Sequence, residues 1–125
     1  MIVKAGDARN KEFLGVSFDV LAVGEMSMVT KMNFKKGDIV PSHRHSNEQS
    51  GYVISGKLRF IFGDFDEILK QGDTYSIPAN VKHSIEVIET GTVIDSFWRQ
   101  ARCRSLTSCR SVLAGLSLIR ALSVV

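Results

Sequence analysis

The stretch Gly37–Gly56, GDIVPSHRHSNEQSGYVISG, holds two of the chain's three histidines, His43 and His45. Side chains two apart on a β-strand point to the same face, so both imidazoles can reach one point, as metal sites require. Gln49 follows after the polar stretch Ser46-Asn47-Glu48, at the start of the next expected strand, where its amide oxygen supplies a third direction. Glu48, one residue earlier, faces the opposite side by strand parity. The third histidine, His83, comes after a Pro78-Ala79-Asn80 turn. Only a rolled-up sheet would carry it to the other two, so the ligand set and the fold predict each other.

Outward from this stretch the chain reads as β-structure. Short runs rich in Val, Ile, Phe, Thr and Tyr are broken by turn signals from Val16 to Phe97, the mark of a sandwich or barrel. The expected strands are Val16–Ala22, Met26–Phe34, Gln49–Ser55, Leu58–Phe62, Glu67–Leu69, Thr74–Ile77, His83–Val87 and Thr92–Phe97. The breaks between them, at Gly24, Lys36-Gly37-Asp38, Ser55-Gly56-Lys57, Gly63-Asp64 and Gln71-Gly72-Asp73, are made of turn-forming residues. Eight such strands with tight turns predict an all-β, single-domain jelly-roll barrel, closed or nearly so.

The spacing of the key residues resembles both signature motifs of the cupin superfamily. Gly37, His43, His45, position 49 and Gly56 match the first motif, with Gln49 where that motif carries Glu. Gly72, Pro78 and His83 match the second, with Asn80 in place of Gly and Val87 in place of Asn. Asn is the non-glycine residue that best tolerates the left-handed backbone of such a turn. The run from His43 through Gly56, with the late Val93-Ile94-Asp95-Ser96-Phe97, is similar to small cupins of pectin and alginate degradation. That resemblance implies one divalent metal ion on His43, His45, Gln49 and His83, with Asp95 as the acid/base group that linearises unsaturated uronates. Those relatives continue into a Pro, Arg and acidic segment, whereas this chain reads Phe97-Trp98-Arg99-Gln100.

Physical chemistry gives the site its expected character. Three neutral imidazoles and an amide leave the double charge of an ion uncompensated, which raises its Lewis acidity. Imidazole-rich ligation suits Zn, Ni, Mn, Fe or Cu. Asp95 shares a strand face with Val93 and Phe97, and a carboxylate between two inward apolar neighbours is a candidate for proton transfer. Tyr52, Arg59, Tyr75 and Trp98 are candidates for the pocket mouth, and Arg59 is also a candidate ion-pair partner for Asp95. The expected function is a metal-dependent enzyme, of isomerase or lyase type, acting on a small polar sugar acid. A metal-dependent dioxygenase and a non-catalytic small-ligand binding or sensing barrel are the alternatives.

Charge and composition exclude other classes. Of 125 residues, 44% are hydrophobic and 23% charged, as in globular rather than disordered chains. Residues 1–98 carry 11 Lys+Arg against 13 Asp+Glu, while residues 99–125 carry five Arg and no acid, so the formal +3 belongs to the tail. A body without a basic stripe is not expected to bind nucleic acid. No run approaches the roughly 20 apolar residues of a membrane helix, and no signal peptide is recognised, so a cytoplasmic protein is expected. Both cysteines, Cys103 and Cys109, lie in the tail. Two regions follow: a barrel over 1–98 and an atypical Ser/Leu/Arg-rich tail over 99–125. That tail has the composition of a shifted reading frame or a fusion, or of a helix with Leu113, Leu116 and Ile119 on one face. By resemblance, the barrel is expected to pair as a homodimer through sheet edges.

Overall fold

The computed structural model describes residues 1–99. The expectations for the tail, apart from Arg99, lie outside the described residues. A short 3-10 turn at Ala5–Asp7 precedes ten strands: β1 Arg9–Phe13, β2 Val16–Val23, β3 Ser27–Phe34, β4 Ile39–His43, β5 Glu48–Val53, β6 Lys57–Phe62, β7 Phe65–Lys70, β8 Thr74–Ile77, β9 His83–Glu89 and β10 Gly91–Trp98. All eight expected strands are present. β1 and β4 are additional.

Two antiparallel sheets face each other. The larger has the order β1-β2-β3-β10-β5-β8 and the smaller β4-β9-β6-β7. The crossovers implied by these orders make the jelly roll. Alternation decides what lies between the sheets: β3 is buried at every second residue from Met28 to Phe34, as is β10 at Val93, Asp95 and Phe97. Phe18, Phe34, Leu58, Phe60, Ile77, Val53 and Val93 fill the centre and are almost wholly removed from water. Each such side chain contributes roughly 1.5–3 kcal/mol by leaving water.

Turn chemistry sets the register. Leu14 and Gly15 both have positive φ, 51° and 83°, in the two-residue loop joining β1 to β2. Such a pair matches the twist of a hairpin. Asn80 has φ 64° and so takes the left-handed conformation that its type tolerates. Gly56 has φ 89°, and a Cβ there would stand 2.8 Å from both the Glu89 carbonyl oxygen and the Gly91 Cα. Conformation and space thus both require glycine between β5 and β6. Among the described residues, no helix is long and apolar enough to cross a membrane.

Candidate metal centre

His43 ends β4 and His83 begins β9, and the two residues are direct partners in the antiparallel register. His45 lies two residues beyond the end of β4, in the loop that leads into β5. The expectation that His43 and His45 share one strand is therefore corrected, for the strand stops at His43. The loop nevertheless turns His45 inward, where it is buried. Ring centroids lie 4.2 Å apart for His43 and His83, 4.9 Å for His45 and His83, and 5.8 Å for His43 and His45. One ring nitrogen from each histidine lies within 4.8 Å of the others, so the three could hold a metal ion.

Each imidazole is oriented by its own segment. The Nδ1–H groups donate to backbone carbonyls two residues away: His43 to Pro41 at 2.8 Å, His45 to Asn47 at 2.9 Å and His83 to Val81 at 2.9 Å. A carbonyl can only accept, so Nδ1 carries a proton, and in the neutral form each ring keeps its Nε2 lone pair for a ligand. Burial holds His83 down to about 4 and shifts His45 in the same direction, which favours the neutral rings that metals need. Phe13, Phe60 and Phe97 pack around the rings, with centroids 5.6 Å from His43, 6.5 Å from His83 and 5.6 Å from His45 respectively.

Gln49, buried on β5, places Oε1 3.0 Å from His45 Nε2. With the His45 proton on Nδ1, two lone pairs face each other at this distance. A cation against both atoms would turn that repulsion into attraction, so the donor set fits a metal ion. Glu48 is exposed on the other side of the strand, as parity requires.

Asp95 is only 2% exposed and faces inward between Val93 and Phe97. Burial pushes its carboxyl up to about 6, with the Tyr75 hydroxyl and the Gln49 side chain pulling it partly back. The Tyr75 hydroxyl donates a short hydrogen bond to Asp95 Oδ1. Burial, with the Asp95 charge, in turn raises the Tyr75 phenol well above its ordinary range, which keeps it a donor. Tyr75 therefore belongs to the interior rather than to the mouth. Arg59 pairs with Asp66 at 2.8 Å and Glu86 at 3.5 Å on the outer face of the smaller sheet, away from Asp95. Tyr52 and Trp98 are about half exposed.

The sequence reading missed Phe13 and Phe60 as walls of the site, because apolar residues in a barrel carry no sign of what they touch. It also passed over Gly51, although a glycine inside a strand signals a close approach.

The cupin domain profile matches residues 30–94, more than half of the chain. Among curated proteins, none matches. Solved structures similar to this chain include an RmlC-like cupin from Shewanella frigidimarina, with TM-score 0.73 and 22% identity over 81% of this chain and 92% of that one. KdgF from Halomonas sp. gives TM-score 0.72 and 21% identity over 80% of this chain and 95% of that one. Oxalate decarboxylase from Bacillus subtilis, a protein with Mn(II) centres, gives TM-score 0.68 and 23% identity over 77% of this chain and 28% of that one. Identities at this level establish the fold alone. The matched profile, the two-sheet jelly roll and the convergent histidines together place the chain in the cupin family.

Proposed function

We propose that His43, His45, Gln49 and His83 hold one divalent transition metal ion, and that the protein is an enzyme acting on a small polar sugar acid, an unsaturated uronate. When bound, the ion supplies Lewis acidity toward a carbonyl, carboxylate or water. The chain's own residues do the rest. The rings and Gln49 present neutral donors from fixed directions, and the phenyl walls exclude water. Asp95 holds or releases a proton at its carboxylate, and Tyr75 donates to Oδ1.

The observation that carries this reading is the buried Asp95 carboxyl, hydrogen-bonded by Tyr75 and pushed upward by burial, on the same inner surface as Gln49 and the three histidines. A general acid or base works best when its pKa lies near the operating pH. An Asp with a purely structural ion pair would have shown a cationic partner, and Arg59, the residue expected for that part, is engaged elsewhere. The resemblance of the sequence to uronate-linearising cupins supports the choice of substrate class.

Two measurements test the reading. Elemental analysis of the purified chain should find one transition metal per chain, lost in His83→Ala. Incubation with unsaturated galacturonate should show conversion by the wild type and a loss of about 10²–10⁴-fold in Asp95→Asn, the usual range for a proton-transfer group. Equal rates in the two proteins would remove Asp95 from the reaction. The proposed homodimer is checked by sedimentation of the full chain.

A further inference from the structure

The interior of the larger sheet carries a transverse row of residues in register. Thr30 on β3 pairs with Asp95 on β10, Asp95 pairs with Gly51 on β5, and Gly51 pairs with Tyr75 on β8. Adjacent strands lie about 4.8 Å apart, so Tyr75 and Asp95 are separated by a whole intervening strand. Their hydrogen bond forms because the tyrosine ring lies across β5 at the one position that has no side chain.

The Cβ that Gly51 lacks marks what fills the gap. A Cβ at this position would stand 2.2 Å from Tyr75 Cζ, 2.3 Å from its hydroxyl oxygen and 2.6 Å from Asp95 Oδ1. Gly51 is not among the glycines with positive φ, so backbone conformation does not explain it. The space is filled by the hydrogen-bonded pair itself. On the other flank, the Thr30 hydroxyl is buried and has no hydrogen-bond partner among the described residues. It therefore does not fix the carboxyl.

We propose that Tyr75, seated over Gly51, is a positioning residue that holds the Asp95 carboxyl in a single orientation beside Gln49 and the histidines. This inference rests on the assignment of Asp95 as the proton-transfer group. A carboxylate with several rotamers would spend part of its time turned from the reacting atoms, and small misplacements can cost about 10²-fold in rate. Tyr75 removes that freedom through a bond made inside the core, where water cannot compete for Oδ1.

The experiment uses the full chain with Tyr75→Phe, which keeps the ring and removes the donor, together with Asp95→Asn and the double variant. NMR three-bond couplings should show one Asp95 χ1 rotamer in the wild type and averaging in Tyr75→Phe. With unsaturated galacturonate, Tyr75→Phe should lose about 10–100-fold in kcat at unchanged KM. The double variant should be no slower than Asp95→Asn, because both changes act on one group. A merely structural tyrosine would leave the rotamer fixed and would slow the double variant further, and either result overturns the proposal. If the wild type leaves unsaturated galacturonate unchanged, the sugar-acid reading fails. The couplings then decide the Tyr75 proposal alone, and a single Asp95 rotamer in Tyr75→Phe sinks it.

Discussion

In the presence of a chelator, Asp95→Asn should make the protein more acid-sensitive. An ordinary aspartate titrates near 3.8 and Asp95 at about 6, so between these values the folded chain keeps a proton that the unfolded chain releases. The stabilisation from that proton is complete below 3.8 and is lost as pH rises through 6. Each pH unit of the gap corresponds to about 1.4 kcal/mol, which gives about 3 kcal/mol in all. His83 acts in the opposite sense, with an ordinary value of 6.5 and about 4 in the fold. Its stabilisation is present above 6.5 and is lost as pH falls toward 4, again by about 3 kcal/mol, and His45 shifts the same way. In the wild type the carboxyl gain offsets part of the imidazole loss. The amide in Asp95→Asn cannot take up the proton, so from pH 7 to pH 4, short of the full range, this variant should lose about 2 kcal/mol more than the wild type. Any pH-independent cost of the substitution cancels in this difference. Urea unfolding at the two pH values, followed by the fluorescence of Trp98, the one tryptophan in the chain, measures it directly. With m of about 1.5 kcal/mol per molar, the midpoints should diverge by about 1.5 M. Parallel losses in both proteins would refute burial as the cause of the raised carboxyl.

Asn80→Ala should destabilise by about 1 kcal/mol, since alanine pays for φ 64° where Asn80→Gly does not; urea midpoints rank the three proteins, and equal midpoints would remove the argument. Gly56→Ala should cost several times more, because its Cβ meets backbone atoms at 2.8 Å as well as an unfavourable φ; thermal melting reads the loss. Asn10 and Asn33 donate to Asp19 and hold its carboxyl below the usual range. Removing both in Asn10→Ala/Asn33→Ala should return Asp19 toward 3.8 in an NMR titration, and should weaken the part of stability that is present above that value and lost as pH falls through the folded pKa.

Why β1 and β4 escaped the sequence reading is a matter of their residues, since the edge strands β7 and β8 were read. β1 and β4 are edge strands too. β1, Arg-Asn-Lys-Glu-Phe, buries only Phe13 and so lacks an apolar alternation. β4 contains Pro41, which a central strand would exclude but an edge tolerates. The interior strands were legible because each buries alternate residues. His43, His45, Gln49 and His83 were legible because polar donors at fixed spacings have few reasons to recur in a core, although the local path of His45 was not. Asp95 stood out as a charge on an apolar face, whereas its tyrosine partner did not, because the bond spans a strand and depends on what Gly51 lacks. Parity along one chain cannot report a contact between strands two apart.

The three Nδ1–carbonyl bonds of the imidazoles each close within a segment of three residues. The rings therefore hold their bearing before any ion arrives, and ion capture need not freeze them. Loading should leave the barrel's outline unchanged, and the histidine resonances should move far more than those of the strands that carry them. An ion could then be exchanged for another without reopening the sheet, so the element found in a given preparation would follow the medium from which the protein was drawn.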